Sequence, residues 1–263
     1  MAVLNYLGPM DERPQNYPSD PARTKLNLVS HCVPVEDLSG AVDAARLDRE
    51  GFELVGHRTS VSDFRVRDER DQIYRKEIEE MMLAVTGAAK VVVANGLLHR
   101  FAERDARFGA AGSTTPIRMI HADYSRTSGK LAADALLTPE ERGRYRRSAG
   151  YSVWRALSPP QQDVPLAVCD ARSVEESDWI GGDVVLLPPG RSPIEWEGSF
   201  YRYNPAHRWC WFSQMNRDQA LVFKTHDTDG SLAERAAHSA FDNPNENCIP
   251  RESVDIRVTA FFE

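Results

Sequence analysis

Alternation of apolar and polar positions is cleanest near the C-terminal end of the chain. In Arg251-Glu-Ser-Val-Asp-Ile-Arg-Val-Thr-Ala260, the apolar residues are Val254, Ile256, Val258 and Ala260. The interleaved set is Arg251, Ser253, Asp255, Arg257 and Thr259. A period of two puts these sets on opposite faces of a β-strand. The polar face either meets water or lines a wet pocket, and alternation alone fits both. Strand-like texture fills the rest of residues 148–263. SAGYSVWRAL, PLAVCDA, DVVLLPP, SFYRYNP, HRWCWFS and QALVFKTHD are separated mostly by Gly, Pro or Asp/Asn turns.

Residues 25–147 are mixed. LNLVSHCVPV, FELVGHRTSV, KVVVAN and TPIRMIHAD predict strands. Between Asp68 and Thr86, the residues Tyr74, Ile78, Met81, Met82 and Val85 follow helical spacing, and Gly87 offers a C-terminal stop. KLAADALL predicts a second helical stretch. Thr138-Pro-Glu-Glu141 then combines a capping box with proline at the first helical position. Residues 1–24, rich in Pro, Asn and Asp, are expected to form an irregular arm over the body. No internal repeat or low-complexity linker interrupts the chain. Residues 1–263 are therefore predicted to form a single domain, mainly β with flanking helices, as a sandwich or jelly roll.

The bulk numbers narrow the function classes. A chain of 263 residues, 41% hydrophobic, is long enough for a substantial core. Its net charge of -7 argues against nucleic-acid binding, and the arginines at 142, 144, 146 and 147 follow two glutamates, as on a solvated face. The start MAVLNYLGPMDERP lacks the basic and apolar regions of a signal peptide, and no run is long enough to cross a bilayer. Four scattered cysteines without a CxxC pair exclude a zinc ribbon and suit reduced thiols. A cytoplasmic protein is expected.

The candidate chemistry starts in Ile117-Arg-Met-Ile-His-Ala-Asp-Tyr-Ser125. In an extended chain His121 and Asp123 point to the same side, which is two thirds of a metal site or else a surface His beside a turn Asp. Two histidines and a carboxylate make the facial set of non-haem Fe(II) oxygenases. A second histidine would come from His207, His226 or His238. Enzymes that consume 2-oxoglutarate also need a cation for its distal carboxylate, often an Arg-x-Ser roughly ten to fifteen residues past that histidine. Only His238 satisfies this, with Arg251 and Ser253. His226 leads to Arg235-Ala-Ala and His207 to Arg217-Asp-Gln. The same three ligands also suit Zn(II) and hydrolysis, a reading with no use for Arg251 and Ser253.

At these residues the chain resembles the family of cephalosporin 7-alpha-methoxylase-related and fungal gibberellin-desaturase-like proteins. GFELV, TGAAKVVV, IRMIHADYS, YSVWRAL, DVPLAVCDARSV, NPAHRWCWFSQM, QALVFKTHD, AAHSAFDNP and PRESVDIRV carry the resemblance in family order. It implies a double-stranded β-helix, a cupin-like jelly-roll barrel with the metal at its open mouth. It also implies Fe(II) on His121, Asp123 and His238, with 2-oxoglutarate as cosubstrate and O2. Arg251 would grip the cosubstrate, with Ser253 beside it, and Arg155 would take a carboxylate- or substrate-binding role. The implied activity is C–H oxidation of a small, amino-acid-derived metabolite in natural-product biosynthesis, antibiotics included. Hydroxylation, desaturation and oxidative ring closure all stay open, as does a non-catalytic accessory role.

Two stretches depart from the family pattern. Asn95-Gly-Leu-Leu-His99-Arg100 stands where relatives tend to end in His-Thr-x-Arg, which bears on any pocket role there. Cys210 stands near a usual aromatic. Among other residues, Trp209, Trp211 and Phe212 are expected in the core, Lys224 at the surface, and His207 and His226 as hydrogen-bonded structural histidines.

Overall fold

The computed structural model describes residues 1–41, 45–94, 96–109, 113–188 and 190–263; Asn95, singled out above, lies outside them. The first half carries β1 (Ala2–Leu7), β2 (Gln15–Asn16), β3 (Leu28–Val33), β4 (Val35–Asp37), β5 (Phe52–Gly56), α1 (Arg75–Thr86), β6 (Lys90–Val93), β7 (Leu98–Phe101), β8 (Ser113–Thr114), β9 (His121–Ala122) and α2 (Arg126–Asp134). The second half carries β10 (Arg147–Ala156), β11 (Leu166–Cys169), β12 (Trp179–Leu186), β13 (Ile194–Tyr201), β14 (Trp209–Trp211), β15 (Gln219–Asp227), β16 (His238–Ala240) and β17 (Glu252–Phe262). The protein is mainly β, as predicted.

Two large sheets carry the architecture. One runs β5-β15-β10-β17-β7-β8, with β6 also on β17; the other runs β2-β12-β13-β9-β16-β11-β14-β4. Trp154, Leu221 and Phe223 of the first meet Leu166, Val168 and Cys210 of the second in a shared core. The outer face of the first sheet is covered by α1. Ile78, Met81 and Met82 fall on one helical side and pack on Val254, Ile256, Val258 and Ala260, the apolar face of β17. Gly87 closes this helix at φ 65°, its N–H bonded to the Leu83 carbonyl at 3.0 Å. The polar face of β17 is thereby turned inward, toward the second sheet.

Several local expectations change. The arm at 1–24 is not irregular throughout. Ala2–Leu7 alternates inward and outward and pairs with β3, burying Leu4 and Tyr6 completely. Tyr6 also accepts a 2.7 Å bond from the Trp209 indole. TPIRMIHAD forms a ladder only at His121–Ala122, because neighbouring backbone groups bond elsewhere: Ile120 N–H to Asn5 at 3.0 Å, and the Ile117 carbonyl to Ala240 at 2.8 Å.

Helix α2 begins before KLAADALL, where Ser125 accepts the Ser128 N–H at 3.1 Å, and ends inside it. Thr138 and Glu141 do form reciprocal bonds of 3.1 and 3.4 Å, but these start only a 3-10 turn at Glu141–Gly143. All four cysteines are free, three of them buried. Among the described residues, no helix is long and apolar enough to cross a membrane.

Candidate metal centre and its pocket

Strand register brings the distant histidines together. His121 on β9 lies directly opposite His238 on β16 in an antiparallel pair, a relation that places two side chains in contact on one face. Their ring centroids are 4.3 Å apart. Asp123 follows two residues after His121, and one ligand atom from each of the three side chains falls within 4.8 Å of the others. His207 and His226 are not among them.

Hydrogen bonding fixes which atoms face inward. Nδ1 of His121 lies 2.8 Å from the Met119 carbonyl, and Nδ1 of His238 lies 3.2 Å from that of Ala236. A carbonyl oxygen only accepts, so each Nδ1 carries the proton and each Nε2 keeps a lone pair. Burial, reinforced by His238, pushes the His121 imidazolium down to about 3. Burial likewise lowers His238. Both rings are held neutral, the form that ligates a metal.

Burial alone would raise Asp123, but the Arg257 guanidinium outweighs it and keeps the carboxylate ionised. Arg257 donates to its Oδ1 at 2.7 Å. The other oxygen, Oδ2, is buried without a hydrogen-bond partner. A buried carboxylate oxygen without a partner is costly unless something electropositive meets it. Two imidazole lone pairs and this oxygen converge as the donor set of a facial divalent-metal site.

The adjoining pocket is lined by Arg100, Trp154, Phe223, Arg251, Asp255 and Arg257 around the two histidines. Arg251 is buried, donates from Nε to Ser253 Oγ at 2.9 Å and from Nη1 to the Val164 carbonyl at 2.7 Å, and stands 5.1 Å above the Trp154 ring. Asp255 is occupied by Arg257, at 2.5 Å, and by the Ser152 hydroxyl. No carboxylate of the described residues forms an ion pair with Arg251 or Arg100. Burial first, and Arg100 second, push Arg251 down to about 9. A roomier cavity, about 430 Å³, lies between Asp48, Trp179, Tyr201 and Arg235 and contains none of these groups; its size does not mark the chemistry.

The sequence placed three residues wrongly. Arg155 does not reach the pocket. Its neighbour Trp154 does, and alternation along β10 sends Arg155 to the opposite face. There it is fully buried, donating to the carbonyls of His57 (2.9 Å) and Arg217 and to the Tyr74 hydroxyl (3.3 Å). It ties together the ends of β5, α1 and the turn before β15.

Lys224 is fully buried rather than exposed, with Asp48 and Asp227 each at 2.6 Å. His207 is hydrogen-bonded as expected, to Asp178 and Tyr6 at 3.1 Å each, but both ring nitrogens of buried His226 lack partners. Arg100, Trp154 and Arg257 were missed as pocket residues. The polar set shared by Arg251, Ser253, Asp255 and Arg257 was the signal available for the last of these.

Known proteins bear on this arrangement. Residues 4–261 match the model of the family described as Oxidoreductase/YMDC permease-like domain. The hydroxylase/desaturase efuI of Hormonema carpetanum is 30% identical, across 91% of this chain and 86% of its own. The hydroxylase/desaturase CTB9 of Cercospora beticola is 36% identical, over 82% and 72% respectively. The Fe(II)/2-oxoglutarate-dependent dioxygenase nvfI of Aspergillus novofumigatus is 26% identical, over 92% and 87%. A solved structure, the iron and alpha-ketoglutarate-dependent endoperoxidase NvfI, superposes with a TM-score of 0.84 at 24% identity, covering 99% of this chain and 96% of that one. It has the same fold. The chain thus belongs to the oxidoreductase family that includes these fungal hydroxylase/desaturases and Fe(II)/2-oxoglutarate-dependent dioxygenases.

Proposed function

We propose that this protein is an Fe(II)/2-oxoglutarate-dependent oxygenase of natural-product biosynthesis, built on a double-stranded β-helix with its metal site between the two sheets. His121, Asp123 and His238 would hold the iron. One observation carries this reading: two neutral Nε2 atoms and an unpartnered, buried Asp123 oxygen converge from strands far apart in sequence. Iron held there would, with 2-oxoglutarate and O2, supply the oxidising power to remove hydrogen from unactivated C–H bonds, the 2-oxo acid being converted to succinate and carbon dioxide.

The chain's own groups do the rest. His121 and His238 hold their protons on Nδ1 and present Nε2. Arg257 fixes one oxygen of Asp123 and leaves the other for the metal. Arg251 and Ser253 offer a buried cation and a hydroxyl to the distal carboxylate of the cosubstrate, a pairing strengthened by the dry surroundings. Trp154, Leu166 and Phe223 supply apolar walls that keep bulk water from the site. The substrate is a small molecule, and its pose would choose among hydroxylation, desaturation and ring closure.

The test is succinate release from 2-oxoglutarate under air with added Fe(II). Wild type should form succinate over many turnovers, and Asp123→Ala should form essentially none. No succinate from iron-loaded wild type, combined with hydrolytic activity on Zn(II), would favour the zinc hydrolase instead.

A further inference from the structure

The ribbon of β1 and β3 forms a small sheet of its own, and one side of it is open. Among the described residues β3 pairs with β1 alone, from Leu28 opposite Leu7 to Val33 opposite Ala2. In an antiparallel ladder, alternate residues turn their N–H and C=O groups away from the partner strand. Among the described residues, no backbone bond reaches those groups on the outer edge of β3. The strand reads Leu-Val-Ser-His-Cys-Val, without Asp, Glu, Lys, Arg or Pro. Around the edge, Leu28 is 43% exposed, Val29 38% and Val3 of β1 56%, and Cys32 is exposed as well.

Proteins ordinarily blunt a free strand edge by keeping it short or charged. The ends of the two large sheets do so. β2 and β8 have two residues each, β4 carries Glu36 and Asp37, and β5 carries Glu53. β3 is longer than any of these and carries no charge, so it has the properties of an edge that is meant to pair.

The occupant of such an edge is an extended strand, which alone matches the spacing of its N–H and C=O groups. β3 of a second copy fits. Each chain carries a net charge of -7, yet the edge itself is neutral, so two copies meet there without local repulsion. The same neutrality leaves nothing to select a charged foreign peptide. Antiparallel pairing about a two-fold axis uses one surface on both copies and covers both edges at once. Directly opposed residues share a face. An axis at Ser30 therefore sets Leu28 of each copy against Cys32 of the other, on the face that also holds Val3. On the opposite face Val29 meets His31, whose ring is stacked on Tyr203 at 3.9 Å.

We propose that this protein forms a symmetric dimer through β3, joining the β1–β3 ribbons of two copies into one antiparallel sheet. The contact lies outside the metal centre and does not depend on its chemistry.

The test is sedimentation velocity on the full chain over about 1–100 μM. Wild type should sediment at twice the 29.6 kDa chain mass. Ser30→Lys sets two ammonium groups against each other across the axis and should weaken the dimer at least about 10-fold, with an unchanged circular dichroism spectrum. Cys32→Lys, placed on the same exposed face, should act in the same direction. A monomeric wild type throughout that range would overturn the proposal, and so would a dimer indifferent to both lysines, since it would use another surface. Loss of the fold in both variants would mean that the edge is packed within the chain, which overturns it too.

Discussion

Asp123 illustrates how one residue's chemistry is set by its neighbours. A carboxylate flanked by buried rings would ordinarily resist ionisation, yet the Arg257 guanidinium at 2.7 Å keeps it charged and points one oxygen away from solvent. Arg257→Gln should therefore weaken divalent-metal binding about 10- to 100-fold, the cost typical of losing a group that orients a ligand. A competition titration with Co(II), without cosubstrate, measures this. Wild-type affinity in the variant would mean that Arg257 does not position Asp123. At this scale the sequence was partly legible. His121 and Asp123 show their shared side by spacing alone, and the polar set of β17 shows which residues travel with Arg251. Arg155 and Trp154 show the limit: which neighbour on a wholly buried strand faces the pocket depends on the sheet packed against it, and β10 is buried on both faces.

Among the elements, β9 carries His121 and leads directly into Asp123. β9 has only two residues in its ladder, yet it is held from both sides, by β13 through Phe200 and by β16 through His238. That pairing positions the metal ligands, and no local pattern in TPIRMIHAD announces it. The helix α1 and strand β17, by contrast, follow their periodicity closely because each buries a single apolar face.

Strand β10 carries a register shift between Gly150 and Tyr151, where it accepts the His226 ring. A Cβ on Gly150 would fall 2.3 Å from His226 Nδ1, and one on Gly129 of α2 would fall 2.5 Å from the same side chain. Gly150→Ala is expected to cost about 1–3 kcal/mol by overpacking, read as a lower urea midpoint. His226→Ala in the same chain should recover part of that loss by removing the obstruction. Additive effects of the two changes would rule out the steric explanation.

Across the whole molecule, buried histidines link stability to pH. His121 is pushed down to about 3 and His226 to about 4, chiefly by burial, and His238 is lowered as well. The unfolded chain titrates these groups near 6.5, so below that pH it binds protons that the folded state refuses. Stability is therefore full above about pH 6.5 and falls as pH drops toward the folded-state values. Metal-free protein should show a urea midpoint that declines between pH 7.5 and 5.5, before most carboxylates titrate. A flat profile in that window would mean that the rings are not held neutral.

The mainly-β character was legible from the spacing of strands and turns, whereas the burial of Lys224 was not. Nothing near it in sequence announces Asp48, which meets it from 176 residues away.

The most direct measurement is an anaerobic titration of the full chain with Fe(II), counting bound ions in wild type, Asp123→Ala and His238→Ala. One ion per wild-type chain, with tight binding lost in each variant while the fold survives, is the predicted result. Iron held as firmly after His238→Ala, or none bound by folded wild type, would contradict it.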